Sequence, residues 1–84
     1  MWIKTQNNKM LLDCVGFEIG YHGYGDPQTF TTAIYGITQN NTKEYSRVLL
    51  GVYEKEYAKE VFDKIELMVY NKQRFYKMPK ESNG

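Results

Sequence analysis

The apolar residues of this chain change their spacing once. Up to Tyr53 they come in short, alternating runs separated by Asn- and Gly-containing breaks. From Glu54 onward Ala58, Val61, Phe62, Ile65, Met68 and Val69 recur at intervals of three and four. A period of two buries one face of a strand, and a period near 3.6 buries one stripe of a helix, so the two parts cannot exchange roles. The expectation is an α+β fold: an antiparallel meander of about four strands, then one amphipathic helix, with a short C-terminal strand after it. At 84 residues the chain suits one domain, read here as residues 1–80, with Glu81–Gly84 as a polar tail.

The strands can be placed from their breakers. Met1–Thr5, containing Trp2 and Ile3, is the first, and Gln6-Asn7-Asn8-Lys9 is a turn, because Asn tolerates the left-handed conformation. Met10–Tyr21 is the second. Its Leu11, Val15, Phe17 and Ile19 form the apolar face, with Cys14, Gly16 and Glu18 opposite, and Gly16 marks a bulge or bend. His22-Gly23-Tyr24-Gly25-Asp26-Pro27 is the strongest breaker. Thr29–Gln39 and Glu44–Tyr53 are the third and fourth strands, joined by a turn at Asn40–Lys43. The helix is expected over Glu54–Tyr70, with Glu54 and Glu56 favouring its positive end and Asn71 as a left-handed C-cap. No Ser, Thr, Asp or Asn stands at its N-cap. Gln73–Met78 suits a final strand that Pro79 would end.

Composition excludes several classes. Cys14 is the only cysteine, so no internal disulfide can form. One cysteine and one histidine cannot close a four-ligand zinc site, and neither metal nor cofactor is expected. No apolar run approaches the ~20 residues of a membrane span, and the start lacks the pattern of a signal peptide, so a cytoplasmic location is expected. Eleven basic residues against ten acidic ones give a charge near zero, which makes a nucleic-acid partner an unlikely expectation at the level of the whole chain. A core this thin commonly gains support from self-association, so a homo-oligomer, a dimer or higher, is expected.

Catalytic constellations are missing. Cys14 has only His22 as a candidate base, at the far end of the same strand. Gly23-Tyr24-Gly25 precedes a strand, whereas a phosphate-cradling loop precedes a helix. The chain is therefore read as a binding protein and not as an enzyme. The residues with binding chemistry are basic and aromatic: Tyr45-Ser46-Arg47 and Lys72-Gln73-Arg74-Phe75-Tyr76-Lys77. Arginine grips phosphate and aromatic rings stack on bases. Arg47 and Arg74 are nominated for phosphates, Tyr24 and Tyr76 for stacking, and His22 as a polar contact.

The chain begins Met1-Trp2-Ile3, carries Leu50-Gly51-Val52-Tyr53 before Ala58-Lys59-Glu60-Val61-Phe62-Asp63, and closes with Tyr76-Lys77-Met78-Pro79. In these segments it resembles a group of small uncharacterised proteins of Firmicutes and their phages. The resemblance covers both ends and the helix, about half the chain. It departs from the group in lacking a Ser/Thr helix cap and in placing Tyr53 and Ala58 one residue closer together. It implies the strand-then-helix architecture and no biochemical activity. A phage origin would favour sequestration of a small anionic nucleotide-derived signal, to counter host defence. The alternative is a protein–protein inhibitor or adaptor that docks on a host protein.

Overall fold

The structure, a computed structural model, describes residues 1–22, 31–40 and 42–80. The elements are β1 (Trp2–Lys4), β2 (Leu11–Asp13), β3 (Gly16–His22), β4 (Thr31–Gln39), β5 (Tyr45–Tyr53), α1 (Lys55–Tyr70) and β6 (Phe75–Lys77). The fold is α+β. The strands form two three-stranded sheets, ordered β2-β1-β6 and β3-β4-β5. All pairings between successive strands are antiparallel. β6 lies parallel to β1, with Phe75 level with Trp2. A parallel neighbour requires a long crossover, and here β2–β5 and α1 all lie between the two strands.

The expected second strand is two strands. Val15 N–H donates to Ile37 O at 2.7 Å, while Gly16 is also the partner of Ile37. Two residues therefore oppose one, which is a bulge, and the chain bends there. The extra residue reverses the alternation. Before it, Leu12 and Cys14 turn inward; after it, Phe17 and Ile19 do. The single apolar face expected from Leu11 to Ile19 is thus divided between two sheets. Leu11 and Val15 are left 54% and 61% exposed.

The core lies between the sheets and under α1. Ile3, Cys14, Ile34, Leu50, Tyr53, Ala58, Val61, Ile65 and Met78 form it. Ala58, Val61 and Ile65 are the buried stripe of the helix. Within β5, Ile34 pairs with Gly51 and Tyr35 with Leu49, so a second bulge turns Leu50 into the core. Gly36 is required by close approach, since a Cβ there would lie 2.6 Å from Cys14 Sγ and 3.1 Å from a Leu50 methyl. The far edge of β5 is closed by Gln6. Its main-chain N–H donates to Leu50 O at 2.8 Å, its Nε2 donates to Val52 O at 3.0 Å, and its Oε1 accepts from Val52 N–H at 2.8 Å. One side chain here does the work of a strand.

Asn side chains and left-handed residues make the turns. Asn7 Oδ1 accepts from the Thr5 hydroxyl and the Lys9 amide, and Asn8 is left-handed at φ 64°. Asn40 Oδ1 accepts from the Thr42 and Glu44 amides, and Lys43 takes φ 65°. Helix α1 is capped by Glu54, whose carboxylate accepts from Glu56 N–H at 3.2 Å. At the other end the expected left-handed residue is displaced by one. Asn71 stays near helical values, and Lys72 takes φ 58°. Gln73 N–H then reaches Met68 O, and Lys72 N–H reaches Val69 O, the paired bonds of a Schellman motif. No helix among the described residues is long and apolar enough to cross a membrane.

Two substitutions test this frame. Gly36→Ala overpacks the core against Cys14 and should lower stability by about 1–3 kcal/mol in urea titrations. Lys72→Gly relieves a left-handed conformation disfavoured by a side chain. It should raise stability by about 1 kcal/mol, a Tm gain of roughly 4–8 °C in thermal unfolding.

Candidate functional site

The residues nominated from the sequence are dispersed. Arg47 stands on β5, where its Nη1 lies 2.7 Å from Glu18 Oε1 and its Cζ 4.3 Å above the Tyr35 ring. Its charge is already met by a carboxylate and an aromatic face. Arg74 precedes β6 in the other sheet, exposed, and its carbonyl accepts from Trp2 N–H at 2.8 Å. Tyr76 turns inward, level with Ile3, and packs against the core. Tyr24 lies outside the described residues. His22 closes β3 with its main chain, and its side chain lies outside the described part.

Tyr76 belongs to a group of three tyrosines. Tyr53 and Tyr57 meet edge to face, 5.6 Å between ring centroids, and Tyr53 Oη donates to Pro79 O. Burial, reinforced by the neighbouring tyrosines, pushes the phenol of Tyr53 well above the ordinary range and raises that of Tyr76. Burial likewise raises the Cys14 thiol. These groups are held neutral. A buried, protonated thiol is a poor nucleophile, in line with Cys14 as a packing residue.

Between β3, β4 and the first turns of α1 lies a small cleft of about 200 Å³, lined by Ile19, Gly20, Thr32, Lys55 and Lys59. The Thr32 hydroxyl oxygen beside it is buried and has no hydrogen-bond partner among the described residues. No group of three or more His, Cys, Asp or Glu side chains that could hold a metal occurs among the described residues.

The most distinctive surface is the outer face of the β2-β1-β6 sheet. Register places Asp13, Trp2 and Phe75 in one row across it, and Leu11, Lys4 and Lys77 in the next. The intervening Ile3, Leu12 and Tyr76 face the core. Trp2 is 47% exposed and Phe75 is 51% exposed, on neighbouring strands. Asp13 is met by the Met1 ammonium at 3.2 Å. Comparison with family models, curated proteins and solved structures found no match for the chain. The surface must therefore be read from its own chemistry.

That chemistry is uneven charge. Residues 1–13 and 72–80 build or flank this sheet. They contain Lys4, Lys9, Lys72, Arg74, Lys77 and Lys80 against Asp13 alone, six basic residues and one acidic, a net of +5. The near-zero total hides this, because eight of the ten acidic residues lie between positions 14 and 71. The Lys72–Lys77 stretch carried the signal in the sequence, as basic residues interleaved with aromatics. Its alternation was the missing part, since Phe75 faces solvent where Tyr76 does not. Trp2, Lys4 and Leu11 carried no such mark.

The tyrosine group sets an alkaline limit on stability. The folded state favours the neutral phenols, so their contribution is complete below the ordinary tyrosine pKa near 10 and is lost as pH rises above it. Tyr53→Phe should cost about 0.5–1.5 kcal/mol at neutral pH through the lost bond to Pro79, and should flatten the decline above about pH 10. Urea midpoints measured across that range check both.

Proposed function

We propose that this is a binding protein for anions of the nucleotide class, held on the outer face of the β2-β1-β6 sheet, and that its preferred ligand is a single-stranded nucleic acid segment. The observation that carries the reading is the exposed Trp2–Phe75 pair with Lys4 and Lys77 in the next row of the same face. Single-strand binders combine aromatic rings, on which successive bases stack, with cations that follow the backbone. Every base has a π face, so such a surface needs no concave pocket. A small nucleotide is more commonly enclosed in a cleft. The open face therefore favours an extended strand over the small nucleotide-derived signal expected from the phage resemblance.

A protein partner is the second reading. Leu11 is exposed on the same face and has no part in base stacking. It would suit an apolar contact with a host protein.

Trp2 is the only tryptophan, so its fluorescence reports directly on the site. Titration with single-stranded oligonucleotides should quench it, and a duplex of the same sequence should quench it less. Phe75→Ala should weaken binding by about 1–3 kcal/mol. Replacing Lys4 and Lys77 together by Gln should lower the slope of log affinity against log salt by about 1.4. Arg47→Ala, on the other sheet, should leave the affinity unchanged. Quenching by a mononucleotide at least as strong as by the oligonucleotide would transfer the proposal to a small nucleotide ligand. No quenching by either would leave the protein partner.

A further inference from the structure

The β3-β4-β5 sheet has two edges, and they are treated differently. The β5 edge is stoppered by Gln6, which bonds the main chain at Leu50 and Val52. The β3 edge has no strand or side-chain stopper beside it among the described residues. Edge strands are commonly protected by lysines, prolines, bulges or shortness. β3 has no lysine or proline, and its bulge lies at its first residue, so Phe17–His22 run regularly. It runs seven residues, Gly16–His22, pairs with β4 residue for residue without a shift, and carries Glu18 as its one acidic or basic (Lys/Arg) residue. On the helix side, an apolar cleft lined by Phe17, Phe62 and Val69 adjoins the strand.

We infer that β3 is a self-association surface whose occupant is β3 of a second copy of this chain, paired antiparallel about a two-fold axis at Ile19. A strand edge is a row of donors and acceptors that its own antiparallel copy complements, which is the condition for a closed two-fold dimer. The side chains select the register. With the axis at Ile19 all seven residues are paired, and Glu18 falls opposite Gly20 of the second copy. The one carboxylate of the strand then meets a residue with no side chain, and the two Glu18 side chains do not face each other. Among the described residues, nothing lies within 4 Å of where a Cβ on Gly20 would be. An axis at Glu18 would set like charges directly opposite. The result is a continuous six-stranded sheet, β5-β4-β3-β3-β4-β5. The basic faces described above belong to the other sheet of each copy, so this inference stands independently of the proposed ligand.

The test is the association state of the full chain, by sedimentation velocity over a concentration series, with wild type, Gly20→Glu and Gly20→Lys compared. Both substitutions meet no described residue, and far-UV circular dichroism checks that each variant is folded. The wild type should be a dimer. Gly20→Glu sets a carboxylate opposite Glu18 at two symmetric places and should weaken the dimer by roughly tenfold. Gly20→Lys sets an ammonium there and should hold or tighten it. In hydrogen exchange, main-chain amides of residues 16–22 should gain protection as concentration rises. A wild type that stays monomeric overturns the inference. So does equal weakening by Glu and Lys, or a dimer in which the β3 amides show no dependence on concentration.

Discussion

The bulge at Val15 is the constraint on which the rest of the molecule depends. A strand shows its two faces in strict alternation, so one extra residue exchanges core and solvent for everything beyond it. Here the exchange lets one stretch of chain serve two sheets. Leu12 and Cys14 close the core from the first sheet, and Phe17 and Ile19 close it from the second. Cys14 sits at the corner, with its sulfur against the bare Cα of Gly36. A thiol is small enough for that corner, and glycine is the only residue that leaves room for it. Burial keeps the thiol protonated, so the corner is a packing device and not a reactive one.

The same economy appears where the sheets meet again. Gln6 lies just beyond β1, and its carboxamide satisfies both main-chain groups of Val52. A carboxamide presents a donor and an acceptor with the spacing of a peptide group, so it can end a sheet without another strand. The edge it closes is protected, and the edge of β3 is left as the long unpaired one among the described residues. The two edges of the sheet thus differ among the described residues. In a chain with a core this thin, further burial by pairing would add to stability.

Charge follows the topology. The parallel docking of β6 on β1 unites the two ends of the chain, and both ends are basic. Residues 14–71 hold eight of the ten carboxylates, and the Arg47–Glu18 pair neutralises part of what cation they have. An exposed ion pair of this kind contributes little to stability, about 0–1 kcal/mol. It also leaves Arg47 with its charge already met. Lys4 and Lys77 have no such partner among the described contacts, and they lie in the row next to the two outward rings.

By itself the sequence determined the kinds and order of the elements. The helix stripe, the asparagine turns, the stop at Pro79 and the short last strand are consequences of spacing and of local backbone preference. Each can be read within a window of a few residues. Glu54 as N-cap and Lys72 as the left-handed residue lie one step from those expectations, because caps depend on which neighbour closes the hydrogen bonds. Only the tertiary structure decided which side chains see water and which charges stand together. Leu11 and Val15 look like core by alternation and are exposed by a bulge. Phe75 and Tyr76 are neighbours in sequence and lie on opposite faces. Trp2 and Phe75 meet across a separation that spans almost the whole chain. A total charge is a sum without positions, and a surface is set by contacts between distant segments, so the basic face could appear only when the two ends of the chain paired.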